Sequence, residues 1–459
     1  MKERNTFSGS LGFVLSAAGG AVGLGNIWRF PYLAAKDGGG LFLVTYLILA
    51  LTFGFTMLIA EVAIGRKTKQ SCLTAYGKLH KKSGWIGVFD CIVPFMILPY
   101  YCVIGGWLLK YCMVYLTGSG AAAAADGYFG SFISGNVQPI VFDVIFLLAT
   151  SVVVYFGVEK GIEKFSKILM PILLVAVIGI AVFSVTIKGH DGRSGLDGLK
   201  IYLIPSLEGM KAKDVFIVIM DAMGQLFYSI SVAMGIMVTY GSYLRDEDNL
   251  VKSVNRIEIF DTLVAFLAGV MIIPAVYVFL GREGMTAGPG LMFIALPNVF
   301  DAMGKIGTAV AVVFFVMTLF AALTSSVSIM EAVVASLMDK FGMSRPKATI
   351  IELVCALALG VLVCLGYNAF YFELTLPNGA VAQILDIFDY ISNNILMPIV
   401  EIGTCILIGW ILSPETIIKE ATKNGEKFGR KALFILMIKF VAPVMLVTLL
   451  LGAVGVIKL

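Results

Sequence analysis

The sequence predicts an all-α polytopic membrane protein of eleven helices, two of them broken. Three observations predict it. The 459 residues are 59% hydrophobic with a mean hydropathy of +0.93, far more apolar than a soluble domain of this size. Apolar runs long enough to cross a bilayer recur along the whole chain. The first of them, Ser16 through Pro31, carries Gly19, Gly20, Gly23, Gly25 and Asn26 at its centre and so cannot be one continuous helix.

Taken in order, the apolar spans fall at roughly 12–36, 41–64, 86–117, 139–157, 162–187, 213–243, 256–281, 305–339, 347–369, 379–413 and 431–457. Span 1 is too long, and lacks the small-residue cleavage site, to be a cleaved signal peptide, so it stays as a helix. Its glycines mean unwound backbone at membrane depth, tolerated only where protein or a water-filled cavity satisfies the freed amides and carbonyls. Small residues also serve helix packing, but half-helix ends at the midplane are where secondary transporters hold substrate and ions. Span 5 carries Gly161 and, after nine residues, Pro171, a pair that eases local unwinding. Span 6 is the second weak helix: Gln225, Ser229 and Ser231 lie beside small Ala233 and Gly235. It begins about two hundred residues after the first. Matched breaks at that offset imply two five-helix repeats, 12–187 and 213–413, within a single domain 1–459, with 431–457 as an additional helix.

Lys and Arg concentrate in cytoplasmic loops. Placing the N-terminus inside puts Lys2, Arg4, the cluster Arg66, Lys67, Lys69, Lys78, Lys81, Lys82 and most later basic residues on the cytoplasmic side. An odd number of spans then leaves the C-terminus extracellular, in the plasma membrane. The net charge of +4 reports this topology and gives no reason to expect a nucleic-acid partner. The seven cysteines lie in or beside apolar spans, so no disulfide framework is expected. No buried nucleophile and base stand together, and His80 and His190 both fall in loops, so an enzyme is not expected.

Gly19-Gly20-Ala21-Val22-Gly23-Leu24-Gly25-Asn26-Ile27-Trp28-Arg29-Phe30-Pro31, followed by Gly38-Gly39-Gly40, closely resembles the first helix of the neurotransmitter:sodium symporters, which share the LeuT fold. Glu61, Asp221-Ala222 with Gln225, and Thr324-Ser325-Ser326 extend the resemblance over nearly the whole chain. The family's usual plan has twelve helices and this chain has eleven.

The resemblance implies sodium-coupled symport of an amino acid by alternating access, with two sodium ions and no organic cofactor. It places one ion between the carbonyl of Ala21, the side chains of Asn26 and Ser229, and position 261. The other would take the carbonyls of Gly19, Val22 and Ala321 with the hydroxyls of Thr324 and Ser325. Taken alone, Thr324-Ser325 reads more readily as helix-to-helix hydrogen bonding than as an ion site. Position 261 departs from the family, which commonly has Asn there and a Ser or an acid one turn later. This chain has Asp261 and Ala265, so Asp261 is expected both to ligate sodium and to supply the fixed negative charge, making chloride unnecessary.

By the same resemblance, the substrate carboxylate meets the amide of Gly25 and the hydroxyl of Tyr101, where a half-helix N-terminus offers free amides to an anion. Its ammonium meets the stretch around Tyr228 and Ser231. Ile97, Tyr228, Met234, Ser326 and Ile329 would surround the side chain. None is charged, so a neutral, hydrophobic or aromatic amino acid is expected. Ala233 stands where many relatives have Gly. Arg29 and Asp389, with Gln225 nearby, match the outer gate; Arg4 and Asp339 match the inner gate, with Phe7 as an apolar plug. Glu61 is expected to satisfy amides freed by the break in span 1, and Asp386 to be a solvated helix end. The alternatives are a proton-coupled amino-acid carrier of the same fold and an ion channel. Substrate identity, stoichiometry and oligomeric state are not legible.

Overall fold

The computed structural model describes residues 6–189, 192–207, 209–285 and 288–457. Nine continuous helices among them are long and apolar enough to cross a bilayer: Gly40–Thr68, Lys81–Leu116, Gln138–Tyr155, Val158–Thr186, Leu250–Leu280, Lys305–Phe341, Arg345–Leu365, Ile384–Ile411 and Lys431–Ala453. Helix 1 is a tenth span made of Ser10–Ala21 and Gly25–Lys36, bent by 56° at the break. Helix 6 completes the eleven as two shorter pieces, Ala212–Ser229 and Ile236–Tyr243. In chain order the continuous nine are therefore helices 2–5 and 7–11.

The two breaks form for different reasons. In helix 1, Val22 turns to an extended conformation with ψ of 100°, and small residues let partner side chains approach closely. A Cβ on Gly23 would lie 2.7 Å from Ser325 Oγ and 2.9 Å from Tyr101 Oη; one on Gly25 would lie 2.7 Å from the Tyr228 ring. In helix 6 the chain passes through left-handed backbone at Ser231 (φ 55°), Ala233 (φ 57°) and Gly235 (φ 66°). At Ser and Ala this costs on the order of 1–2 kcal/mol per residue, which is why Gly suits position 233. The break sits at 230–235, toward the end of span 6. The surrounding structure holds it open: Ala233 N–H donates to Glu61 Oε1 at 2.6 Å and Gly235 N–H to Asp90 Oδ1 at 2.8 Å. Glu61 thus serves the break in helix 6, correcting the expectation that it serves helix 1.

Helices 3 and 8 pack along their length, as do the second piece of helix 6 with helix 2, and helix 5 with helix 7. The first piece of helix 1 lies against helices 7 and 8, so both breaks open onto one interior region. Helix 5 starts with a widened, π-helical turn over Val158–Glu163 after Gly157 (φ 85°), and Pro171 lies within the helix. Helix 10 begins later than expected because Leu374–Thr375 and Val381–Ala382 pair as a small antiparallel hairpin. Asp386 then stays exposed at the start of helix 10, where it accepts from Gln383 N–H. All seven cysteines are free.

Candidate functional site

The two breaks face each other across a closed cleft of about 20 Å3. Ala21, Gly25 and Asn26 line it from helix 1, Ile97 and Tyr101 from helix 3, Tyr228, Ser229, Ser231 and Met234 from helix 6, and Ser325 and Ile329 from helix 8. Among the described residues, no charged side chain faces it. Tyr101 Oη accepts from Leu24 N–H at 3.4 Å, and Ser231 Oγ donates to Gly20 C=O at 3.0 Å. Ser326 is not in the lining: its hydroxyl pairs with Thr150 Oγ1 at 2.8 Å, toward helix 4, and Ser325 takes the place expected of it.

Beside the cleft, Asp261 on helix 7 is fully buried. Asn26 Nδ2 donates to its Oδ1 at 2.8 Å and to Ser229 Oγ at 2.9 Å, while Ser229 Oγ lies 2.9 and 3.1 Å from the two Asp261 oxygens. Tyr46 Oη reaches Asp261 Oδ2 at 3.4 Å, a contact that no motif signalled. Every group on this carboxyl is neutral. A buried acid that meets only neutral dipoles calls for a cation, and hydroxyl and carboxylate oxygens suit a hard one; the Asn26 amide oxygen accepts from Gly23 N–H at 3.1 Å. Ala21, the remaining expected ligand, lines the adjoining cleft.

A second oxygen cluster lies between helices 1 and 8. Ser325 Oγ donates to the carbonyls of Gly19, Gly20 and Val22 at 3.1–3.2 Å, and Thr324 Oγ1 donates to Ala321 C=O at 3.0 Å. Ser325 thus meets the helix 1 carbonyls expected at the second ion site, whereas the Thr324 hydroxyl turns to Ala321 C=O within its own helix. One hydroxyl proton shared among three carbonyls marks a place rich in acceptors and poor in donors, which fits a monovalent cation.

On one side of the cleft a vestibule of about 600 Å3 descends to Tyr228, lined by Arg29, Asp221, Gly224 and Asn393 among others. No ion pair within 4.0 Å joins Arg29 to Asp389; Asp389 instead accepts from Tyr100 Oη at 3.1 Å and Asn393 Nδ2 at 2.6 Å. Arg29 and Asp389 are thus not in direct contact, and Tyr100 and Asn393 are partners of Asp389 that the sequence did not signal. Gln225 Nε2 donates to Gly25 C=O at 3.0 Å, tying helix 6 to the helix 1 break. At the rim, Lys36 Nζ bridges to Asp221 at 2.6 Å. Burial and the nearby Asp221 push the Asp37 carboxyl, in the loop beyond helix 1, up to about 7, against the pull of Lys36.

The other side is sealed. Phe7 is buried, its ring edge-on to Phe13, Tyr240 and Tyr243, and its N–H donates to Tyr243 C=O at 3.2 Å. Tyr243 Oη donates to Glu331 Oε1 at 2.6 Å, and Arg345 pairs with Glu331 at 2.5 Å. Asp339 Oδ2 accepts from Ser71 N–H at 2.6 Å; its expected partner Arg4 lies outside the described residues.

A bundle in which two broken helices meet at a cleft with oxygen-rich flanks, approached by a vestibule on one side and sealed on the other, defines a secondary transporter of the LeuT fold. The family model for the sodium:neurotransmitter symporters matches residues 4–125 and 134–458. The chain is 32% identical to an uncharacterised sodium-dependent transporter of Bacillus subtilis and 30% identical to one of Haemophilus influenzae, over 98% of each chain in both cases. It is 26% identical to the rat sodium- and chloride-dependent taurine transporter, covering 90% of this chain and 72% of the relative. Among solved structures, MhsT in complex with L-phenylalanine superposes with a TM-score of 0.86 at 34% identity, covering 98% of this chain and 100% of that one. The chain belongs to the sodium:neurotransmitter symporter family. It is a multi-pass membrane protein and a sodium-coupled symporter, and its family is one of transporters, not enzymes.

Proposed function

We propose that the protein carries one neutral, hydrophobic or aromatic amino acid into the cell with two sodium ions and without chloride, by alternating access. The observation that carries this reading is the cleft lining, which offers unwound backbone at two helix breaks and, among the described residues, no charged side chain. The zwitterion's carboxylate would lie on the Gly25 amide and the Tyr101 hydroxyl, and its ammonium near Ser231. Its side chain would be flanked by Ile97, Met234 and Ile329. Met234 is deformable and suits aromatic or branched groups. A 20 Å3 cleft has room for about one water, so entry of an amino acid requires Tyr228 to swing away from it. The likeness to MhsT with bound L-phenylalanine supports an aromatic or large aliphatic substrate.

Asn26, Ser229, Asp261 and the Ala21 carbonyl would hold the first ion, and Gly19, Val22, Ala321, Thr324 and Ser325 the second. Asp261 would supply the negative charge for which chloride serves elsewhere. The N-terminus would be cytoplasmic and the C-terminus extracellular in the plasma membrane, with the vestibule facing out. Thermal-shift binding of a panel of neutral, acidic and basic amino acids, in sodium or potassium, tests this. Stabilisation by phenylalanine or leucine in sodium alone is expected, and stabilisation by charged amino acids, or equally in potassium, contradicts it.

A further inference from the structure

Three carboxyl groups sit together behind the break in helix 6, and the symport cycle described above uses none of them. Glu61 of helix 2, Asp90 of helix 3 and Glu401 of helix 10 each have no solvent exposure. The Glu61 and Glu401 carboxyls face one another, with Asp90 close to both. Glu61 and Asp90 each spend one oxygen on an amide of the broken segment, Ala233 and Gly235. Glu61 Oε2, Asp90 Oδ2 and both oxygens of Glu401 have no hydrogen-bond partner. A carboxyl group with no exposure and both oxygens unpartnered, aimed at a second carboxyl, points to something bound between them.

The surroundings decide what it is. The other titratable groups facing the cluster are Cys72 and Tyr76 of the short helix Cys72–Leu79, Cys91 of helix 3 and Cys405 of helix 10, and Glu352 of helix 9 faces Cys91. Tyr76 Oη is already paired with Thr404 Oγ1 at 3.1 Å. No Lys or Arg among the described residues acts on any of the three acids. Among the described residues, no three or more His, Cys, Asp and Glu side chains cluster so as to hold a metal ion. Two facing carboxylates without a cation repel strongly, whereas one proton between them turns the contact into a hydrogen bond.

We propose that Glu61 and Glu401 form a proton-binding site, with the proton on Glu401 and donated to Glu61 Oε2. The donor pattern assigns it: Glu61 accepts from the Ala233 amide and so favours the ionised form, while Glu401 receives no donor. The proton keeps Glu61 in place beneath Ala233, where the left-handed backbone needs its acceptor. Ser231 and Met234 of the same segment line the cleft, so proton occupancy and pocket shape are linked, and linkage is reciprocal. Loss of the proton loosens the break and weakens substrate binding.

Infrared spectroscopy of the full-length protein in lipid nanodiscs, with hydrogen exchange on peptides covering 230–235, tests this without reference to sodium or substrate. A carboxylic-acid C=O band is expected in the wild type at neutral pH. Glu401→Gln should remove one component of it, and Asp143→Asn, a buried acid elsewhere, should leave that component in place. Glu61→Gln should shift the component, because Glu401 then donates to an amide oxygen. The Glu61→Gln shift decides the matter if Glu401→Gln does not fold. Exchange at 230–235, corrected for intrinsic rates, should accelerate as the wild-type band titrates away and lose that pH dependence in Glu401→Gln. A spectrum unchanged by both glutamine substitutions, or exchange indifferent to the titration, overturns the proposal.

Discussion

Asn26 of the helix 1 break and Asp261 of helix 7 are joined side chain to side chain at 2.8 Å, with Ser229 of helix 6 hydrogen-bonded to both. Three separate helices thus converge on one buried carboxyl with no cationic side chain on it. In the reading proposed here, that carboxyl does the work of a sodium ligand and of a counter-ion together.

Transport should therefore be indifferent to replacing chloride with gluconate. Two sodium ions with a zwitterion carry excess positive charge, and Asp261 offsets part of it at low dielectric. Asp261→Asn with Ala265→Ser should lower apparent sodium affinity at least tenfold, about 1.4 kcal/mol, and introduce dependence on chloride. Uptake by the wild type that already needs chloride would refute this role.

Asn26→Ala and Thr324→Ala each remove one oxygen ligand from a different cluster. Both should abolish sodium-dependent substrate binding while leaving a monodisperse, helical protein. Scintillation proximity binding across a sodium titration checks it, and a wild-type sodium curve in either variant rules out that residue as a ligand.

Gly25→Ala puts a methyl group 2.7 Å from the Tyr228 ring, closer than carbon atoms approach without displacement. Tyr228 separates the vestibule from the cleft, so the clash should raise the substrate dissociation constant by an order of magnitude or more with little change in melting temperature. Restored affinity in Gly25→Ala with Tyr228→Leu would identify the ring as the obstacle.

Asp37 should make stability fall as pH rises. Its folded value, about 7, lies above its ordinary 3.8, so the folded protein holds more protons between these values. Its contribution is full below the lower value and is lost as pH climbs through the upper one. Asp37→Asn should flatten the melting temperature over that window. An unchanged slope would place the titration elsewhere.

The number of helices and the broken first helix were legible because hydropathy and glycine spacing are local properties. Asn26, Ser229, Thr324 and Ser325 were legible through a specific motif, and the structure joins Asn26 to Ser229 and Ser325 to the helix 1 carbonyls. Ser326 shows the limit: adjacent positions on a helix point about 100° apart, and composition does not say which of Ser325 and Ser326 faces the cleft. The role of Glu61 was misplaced because the break it serves lies some 170 residues away in sequence, at an amide no local pattern signals. Tyr46, Tyr100, Asn393 and the Val381–Ala382 strand are products of packing between distant segments.

The most direct measurement is uptake of radiolabelled phenylalanine into proteoliposomes under an inward sodium gradient, compared with an equal potassium gradient. The account predicts transient accumulation above equilibrium in sodium, abolished by Asn26→Ala, and none in potassium. Equal uptake with either cation would contradict it.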